Sequence, residues 1–324
     1  MSHRPVPRPD VLVVGAGIAG LTAAVRIAEA GYPVRIIASE LPQDSTSCNA
    51  GAIWGPYLVD ADDRILPWSE QTRLVLVELA RDPEATGVHL VLGHEAVRAD
   101  LYPPQWATLL EGYRPSRSDE LPPGFRRGWW YTAPIVRMPV YLEYLTARLG
   151  EAGVAVQQGT VPSLAAATEL APIVVNCTGI GAAGLTSDPS LFSTRGQLVE
   201  VENPGIEHFF CEHDESPTPT YFLPHGDVLI LGGSAEVGRF DRAPDEKIAA
   251  EIRQRCALIE PAVADAPFLR HRVGLRPSRP AVRLEAERIG RGLVVHNYGH
   301  GGAGVTVSWG CAADVLTLVD RLVA

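Results

Sequence analysis

The sequence predicts an α/β protein in which a mostly antiparallel sheet domain is inserted into a discontinuous parallel-sheet domain. Three observations lead to this prediction. A strand–helix–strand pattern opens the chain, buried apolar strands return near residues 140–190 and near the end, and alternating patterns typical of antiparallel strands fill the intervals. The 324 residues, 46% of them hydrophobic, are enough for two ordinary domains.

The opening pattern is a βαβ unit. Val11–Val14 is a short apolar run typical of a buried parallel strand. Residues 21–30, rich in alanine, leucine and isoleucine, predict a helix that ends at Gly31, and residues 34–37 predict the second strand. The crossover between the two strands is expected to be right-handed.

The later elements follow from the same two periodicities. Residues 41–70 are expected to be rich in loops, and residues 98–135 to form strands and loops of another layer. The predicted helices cover residues 70–82, 138–151, 245–258 and 305–323. The predicted strands cover residues 154–157, 173–175, 196–201, 220–223, 228–231 and 293–296.

Composition excludes several classes of protein. The net charge of −10, without a basic stripe, argues against nucleic-acid binding. The apolar runs are far shorter than the ~20 residues that a membrane span needs, and no secretory leader is evident. Five scattered cysteines without a CxxC pair favour a reducing compartment, and no zinc-type spacing occurs. We therefore expect a soluble cytoplasmic protein without a metal site.

A glycine motif lies between the first strand and the first helix. Gly15, Gly17 and Gly20 form G-x-G-x-x-G: the first permits a tight turn, the second lets the backbone approach a pyrophosphate, and the third allows close packing of helix on strand. Glu40, beside Ser39, stands where an acidic residue would hold ribose hydroxyls. The motif does not separate FAD from NAD, and a solvated loop carboxylate is the alternative for Glu40.

Two further turns rich in small residues follow buried strands. Residues 176–179 end one strand with Asn-Cys-Thr-Gly, where a backbone could pass close to a cofactor. Four glycines lie between the last strand and the last helix: Gly299, Gly301, Gly302 and Gly304. Such a turn exposes backbone N–H groups beside a positive helix end, which suits developing negative charge.

Taken together, these stretches resemble the D-amino acid oxidase family of FAD enzymes over nearly the whole chain. The matching stretches are residues 15–20, 53–57, 176–179, 196–197, 221–224, 232–233, 274–280 and 294–312. The resemblance implies an FAD-binding Rossmann-like domain with an inserted, mostly antiparallel-sheet substrate domain, often as a homodimer. The corresponding segments are 1–55, 140–190 and 278–324 for FAD, and 56–139 and 191–277 for substrate.

The resemblance also implies a reaction and a site. A neutral D-amino acid would transfer a hydride from Cα to flavin N5, its imino acid would hydrolyse to a 2-oxo acid and ammonia, and O2 would reoxidise the flavin to yield hydrogen peroxide. Arg276 would bind the substrate carboxylate with Tyr221, and the Gly302 carbonyl would accept from the ammonium. Thr306 would lie at the flavin C2 carbonyl.

The cofactor is expected to be noncovalent FAD, and no side chain of this set need act as a general base. His296 and His300 are interpreted as structural, and Cys177 as a buried small residue. The predicted FAD-contacting residues are Gly15, Gly17, Ile18, Ala19, Gly20, Ser39, Glu40, Gly51, Ala52, Ile53, Thr178, Gly179, Gly299, Gly301, Gly304, Val305 and Thr306.

The sequence departs from the family at the substrate pocket. Pro217 stands where some members carry a second tyrosine, Gly55 where several have a glutamine, and Ala303 where some have a bulkier residue. A roomier or less polar pocket is expected.

Four alternatives stay open. A D-aspartate oxidase would need a further cation near Tyr221, where Glu212, Asp214 and Glu215 stand instead. A glycine or secondary-amine oxidase fits residues 294–312 less well. A non-catalytic flavin-binding protein need not keep Arg276 with Tyr221, and a nicotinamide dehydrogenase has no need of the C-terminal pattern.

Overall fold

The structure, a computed structural model, describes residues 10–56, 62–213 and 218–323. Tyr57, Asp214, Glu215 and Pro217, which entered the sequence comparison with the family, lie outside the described residues.

The described ranges contain eight α-helices and fourteen β-strands. The helices are α1 Ile18–Glu29, α2 Ile65–Leu79, α3 Pro83–Thr86, α4 Met138–Glu151, α5 Leu164–Thr168, α6 Ala182–Leu185, α7 Glu246–Ile259 and α8 Ser308–Val323. The strands are β1 Val11–Val14, β2 Val34–Ala38, β3 Val88–Val97, β4 Arg114–Pro115, β5 Arg127–Val136, β6 Val156–Gln158, β7 Ile173–Asn176, β8 Phe192–Glu202, β9 Phe209–Glu212, β10 Tyr221–His225, β11 Val228–Gly232, β12 Glu236–Val237, β13 Phe268–Ile289 and β14 Gly292–His300.

One half of the molecule is a five-stranded parallel sheet in the order β14-β7-β1-β2-β6. Every residue of β1 is buried, as its continuous apolar run predicts. The helix α1 packs on α8 and α4, and the largest apolar core of the described chain lies among these helices and the sheet. We call this part the parallel half.

The other half is mostly antiparallel, in the order β4-β5-β3-β9-β10-β11-β8-β13, with β3 and β9 running parallel. Ile252 and Cys256 of α7 pack with Phe222 in a core on one face of the sheet. We call this part the antiparallel half. Its opposite face carries the side chains of the site described below.

The two halves share one strand. The first part of β13, from Phe268 to Ser278, pairs with β8, and the part from Ser278 to Ile289 pairs with β14. The sheet is therefore continuous from one half to the other. The sequence analysis did not predict this strand, because Pro277 and Pro280 interrupt the pattern. Both prolines lie where the strand changes partners and its register with β14 shifts, and there a missing N–H is tolerated.

Several element boundaries differ from the predictions. The helix expected at 138–151 is confirmed, whereas the one expected at 70–82 spans Ile65–Leu79, and the last helix begins at Ser308 because residues 301–307 form turns. The strand β3 was missed, since it reverses the usual pattern: Leu90 and Leu92 are exposed while Glu95 is buried. No helix in the described ranges is long and apolar enough to cross a membrane.

Candidate active site

A cavity of 1230 Å³ is lined by residues of both halves. The turns after β1, β2 and β7 and the glycine-rich turn before α8 contribute from the parallel half. Side chains of β3, β5, β8, β9, β10 and β13 contribute from the antiparallel half. The cavity follows the carboxyl ends of the parallel strands, which is where open α/β sheets bind ligands.

The glycines of the first turn are required by close backbone approach. A Cβ at Gly15 would lie 2.4 Å from the Cys177 carbonyl oxygen, and a Cβ at Gly20 would lie 2.0 Å from the Gly15 carbonyl oxygen. Gly15 also has a φ of +107°, a conformation that favours glycine. Gly15 and Gly17 line the cavity, whereas Gly20 lies behind it and allows the helix to pack on the strand.

Ser47, which the sequence analysis did not assign to the site, supports this turn. Its Oγ accepts the backbone N–H of Ile18 at 3.0 Å, and a Cβ at Gly17 would lie 3.1 Å from the same oxygen. The hydroxyl therefore accepts one N–H at the start of α1 and lies beside Gly17. The signal in the sequence was the Ser-Thr-Ser run at residues 45–47.

Glu40 and Ser39 line the cavity just after β2. The Glu40 carboxylate forms an ion pair with Arg242, Oε1 to Nη1 at 2.7 Å and Oε2 to Nη2 at 3.3 Å. Arg242 comes from the loop between β12 and α7 of the antiparallel half, 202 residues along the chain. It too was missed, because nothing in the local sequence links it to Glu40.

The turn before α8 presents backbone donors to the cavity. Gly301, Gly302, Gly304, Val305 and Thr306 line it. Within the described ranges, the N–H groups of Gly304, Val305 and Thr306 donate to no acceptor. They stand at the positive end of a 16-residue helix, which suits an electron-rich group.

The Thr306 side chain has a different role from its backbone. Its hydroxyl donates to the Gly55 carbonyl at 3.0 Å and accepts the Gly55 N–H at 3.3 Å. This pair ties the turn before α8 to the segment whose Gly51, Ala52 and Ile53 also line the cavity. Ala52 adopts a φ of 61°, which is unusual for a residue with a side chain.

Thr178 and Gly179, also predicted to contact the cofactor, line the cavity just after β7. Gly299 does not belong to the described lining. A Cβ there would lie 2.7 Å from Arg279 Cδ, so Gly299 makes room for the Arg279 stem.

Arg276 projects from β13 into the cavity. Its guanidinium lies against the backbone of Gly196 on β8, where a Cβ would approach Cζ, Nη1 and Nη2 to 2.5 Å each. One donor, Nη1, bonds the Ser234 carbonyl at 2.9 Å. The other donors have no acceptor among the described residues, so the guanidinium can bind a planar anion through two N–H groups.

Tyr221 lies in the same cavity, on β10. Its ring covers Gly232 of β11, where a Cβ would lie 2.0 Å from the ring Cζ, and its hydroxyl lies 3.0 Å from the Cβ position of Gly233. Gly302 closes the arrangement, because a Cβ there would lie 3.8 Å from Arg276 Cδ. The three residues predicted to bind substrate thus line the same cavity.

The histidines and cysteines near this wall are held in neutral form. Burial lowers the pKa of His300 to about 4, and its Nε2 lies 3.0 Å from Asn297 Oδ1. His296 lies between Asn176 and Glu287, at 3.2 Å and 2.6 Å. Burial raises the pKa of the Cys177 thiol to about 12. None of the three is poised for acid–base or nucleophilic chemistry near neutral pH.

These residues fit a bound dinucleotide. The glycine turn has no side chain where a pyrophosphate would approach, free N–H groups face the cavity at the start of α8, and the volume suits a large ligand. The fold and the cavity define a dinucleotide-binding protein. A model of the family described as FAD dependent oxidoreductase matches residues 10–317, and the chain belongs to that family. Its cofactor is therefore FAD.

Individual relatives are similar over almost their whole length. A D-amino-acid oxidase of Rubrobacter xylanophilus is 45% identical over 95% of this chain and 94% of the relative. A D-amino-acid oxidase of Streptomyces coelicolor is 43% identical over 96% and 97%. A D-aspartate oxidase of Homo sapiens is 35% identical over 97% and 95%. The crystal structure of glycine oxidase from Geobacillus kaustophilus has a TM-score of 0.79 at 19% identity, covering 98% of this chain and 95% of that chain, and shares the fold.

Proposed function

We propose that this protein is an oxidase of neutral D-amino acids. The reaction converts the amino acid, O2 and water to a 2-oxo acid, ammonia and hydrogen peroxide. The observation that carries the proposal is the Arg276 guanidinium, which packs on Gly196 and has donors without a protein acceptor. It lines the same cavity as Tyr221 and the glycine turn after β1. The two similar D-amino-acid oxidases support the same activity.

In this proposal the chain acts by orientation. Arg276 binds the substrate carboxylate through two N–H groups, and the Tyr221 hydroxyl donates to the same carboxylate. The Gly302 carbonyl accepts from the amino group. These contacts fix two substituents of Cα, the carboxylate and the amino group. Because the Cα hydrogen must also face the cofactor, only one enantiomer can react.

Bound FAD would supply the hydride acceptor and the route of the electrons to O2. The chain would contribute the N–H groups of Gly304, Val305 and Thr306, which have no acceptor among the described residues and would stabilise negative charge that develops on the reduced flavin. For FAD contact we keep the residues predicted from the sequence, apart from Gly20 and Gly299, which do not line the cavity. Ser47 accepts the Ile18 N–H, and the Glu40 carboxylate is shared with Arg242. No attachment residue is needed, and noncovalent binding is proposed.

A D-aspartate oxidase is the nearest alternative, because a relative carries that name. Glu95 and Glu212 line the substrate end of the cavity, and Arg98 is already paired with Glu212 at 2.7 Å. A second substrate carboxylate would meet these negative charges. The observation therefore favours neutral substrates over acidic ones.

The proposal is tested by the visible spectrum of the purified holoprotein under anaerobic conditions. Flavin bands should bleach with D-alanine, persist with L-alanine and return when air is admitted, with one peroxide formed per substrate consumed. Flavin bands that persist with every D-amino acid, D-aspartate and glycine included, would overturn the proposed activity and leave the family unaffected.

Two further statements belong to the proposal. A homodimer is proposed from the family resemblance, and exposed Leu90 and Leu92 on β3 offer apolar surface for it. A cytoplasmic location is proposed because the five cysteines are free. Light scattering coupled to gel filtration tests the first statement, since a monomer at micromolar concentration would contradict it.

A further inference from the structure

We propose that Arg242 is a cofactor-retaining residue: its ion pair with Glu40 joins the two walls of the cavity at the nucleotide end and slows the release of FAD. This inference rests on the FAD cofactor of the family and is independent of the proposed substrate. Arg242 belongs to residues 234–245, which connect β11 to α7 and include β12. We call this segment the strap.

The strap extends along the cavity from the substrate end to the nucleotide end. At the substrate end, the Ser234 carbonyl accepts Arg276 Nη1–H at 2.9 Å. Ala235, the next residue, lines the cavity. At the nucleotide end, Arg242 lines the cavity and bonds Glu40. The strap therefore forms part of the wall that the antiparallel half contributes.

The ion pair between Arg242 and Glu40 links this wall to the parallel half. Both residues line the cavity, and their side chains are 39% and 43% exposed, so the pair lies at the rim of the cavity. Among the described residues, the hydrogen bonds and ion pairs between the strap and the parallel half are the two bonds from Arg242 to Glu40. A widening of the cavity at this end would separate the two partners.

Hydrogen bonds from β8 fix the backbone on both sides of Arg242. The guanidinium of Arg195, which is fully buried, donates to the carbonyls of Asp241 and Ala243, the residues directly before and after Arg242. The backbone that carries Arg242 is therefore already ordered. Formation of the pair with Glu40 costs only the side-chain freedom of the two partners.

A second arginine of the strap, Arg239, differs from Arg242 in its partners. The carboxylates that pair with Arg239 all belong to the strap: Glu236, Asp241 and Asp245. These ion pairs hold the strap together and do not reach the parallel half. Arg242, whose acidic partner in the described ranges is Glu40, is the arginine that connects the two walls.

The position of this pair has a consequence for the cofactor. The cavity lies between the two halves, so a ligand as large as FAD leaves when the walls move apart at one end. Because that movement breaks the ion pair, the pair adds to the barrier for release. Its loss should raise the rate of release about 3-fold, the size expected for a partly exposed ion pair. A high salt concentration screens the charges and should have the same effect.

The test follows FAD release from diluted holoprotein by the rise in flavin fluorescence. At about 50 mM NaCl, Arg242→Gln should release FAD about 3-fold faster than wild type, and at about 1 M NaCl the two rates should be equal. Arg242→Lys, which keeps the charge, should recover most of the difference. Equal release from Arg242→Gln and wild type at the low salt concentration would overturn the inference.

A matched control comes from α2. Arg73 forms a pair of two hydrogen bonds with Glu70, at 2.8 Å and 2.7 Å, and neither residue lines the cavity. Arg73→Gln removes the same charge and the same kind of pair, and it should release FAD at the wild-type rate at both salt concentrations. Accelerated release from this control would mean that the loss of any surface arginine weakens FAD retention, which would overturn the inference.

A comparison in the Glu40→Gln protein distinguishes the ion pair from a direct effect of Arg242 on FAD. If Arg242 acts through Glu40, Arg242→Gln should not change the rate of release in the Glu40→Gln protein. An effect of about 3-fold with either residue at position 40 would reject the ion pair as the cause. Neither measurement depends on turnover of a D-amino acid, so this inference and the proposed oxidase activity can fail separately.

Discussion

The two ends of the cavity use glycine for different purposes. In the parallel half, Gly15 and Gly20 let one stretch of backbone approach another, with Cβ positions 2.4 Å and 2.0 Å from carbonyl oxygens. In the antiparallel half, Gly196 and Gly232 make room for the functional side chains of Arg276 and Tyr221. Close backbone contacts therefore shape the nucleotide end. At the substrate end, functional side chains pack on glycines of the neighbouring strand.

Two arginines of the antiparallel half sharpen this contrast. Arg195 is fully buried and bonds Gln197, Glu236 and the carbonyls of the loop before α7, so its donors are used within the protein. Arg276 makes one such bond, to Ser234. The same residue type is structural in one place and available to a ligand in the other, and only the surrounding acceptors distinguish them.

The largest effect is expected at the nucleotide end. Gly17→Val places a branched side chain where Ser47 Oγ lies 3.1 Å from a Cβ, and it blocks the approach of a pyrophosphate. The purified variant should contain no flavin by its absorbance. Gly150→Ala, at a helical site where a Cβ meets nothing within 4 Å, should retain flavin fully. A flavin-loaded Gly17→Val protein would show that the backbone of this turn does not hold the cofactor.

The next effect separates substrate binding from cofactor binding. Arg276→Ala removes the counter-charge of a buried carboxylate, a loss of about 3–5 kcal/mol, or roughly 10²–10⁴-fold in kcat/KM for D-alanine. The variant should retain flavin, unlike Gly17→Val. Arg81→Ala, an exposed arginine on the surface, is the control. Unchanged kinetics in Arg276→Ala would remove this residue from the site.

A stability effect of intermediate size is expected from His300. Burial lowers its pKa to about 4, so between about pH 6.5 and pH 4 the unfolded chain binds a proton that the folded chain does not. The free energy of unfolding should therefore fall as the pH drops through this window, by about 2–3 kcal/mol for this group. The measurement is the urea midpoint of the protein at pH 7 and at pH 4.5.

His300→Asn should reduce by one the number of protons that the chain takes up on unfolding at low pH, and the free energy of unfolding should depend less steeply on pH. Burial also lowers the pKa values of His94 and His225 to about 4 and lowers the pKa of His296, so part of the slope should remain in the variant. An identical slope in His300→Asn and wild type would place the acid sensitivity elsewhere.

The smallest effect is expected at Tyr221. Tyr221→Phe keeps the ring on Gly232 and removes one hydrogen bond to the substrate carboxylate, which corresponds to about 0.5–1.5 kcal/mol, or a 2- to 10-fold fall in kcat/KM. Gly232→Ala should cost more than Tyr221→Phe, because the methyl group displaces the whole ring. A larger loss of kcat/KM in Tyr221→Phe than in Gly232→Ala would mean that the hydroxyl, and not the position of the ring on Gly232, orients the substrate.

Much of this protein was predictable from its sequence alone. The opening βαβ unit, the glycine turn and the helix at 138–151 depend on residues within a few turns of one another, and local periodicity is enough to reveal them. The family resemblance identified Arg276, Tyr221 and Gly302, which line the same cavity in the structure. That FAD is the cofactor also followed from the resemblance, and the family match confirms it.

Other features were decided only by the tertiary structure. Ser47 accepts the Ile18 N–H from 29 residues away, Arg242 pairs with Glu40 across 202 residues, and β13 joins the two halves through a change of partner at two prolines. Glu95 lines the cavity because two strand registers put it in line with Tyr221. Local sequence patterns reveal turns and the buried face of each helix or strand. Which side chains meet in the site depends on strand pairing between distant segments, and local periodicity does not encode that pairing.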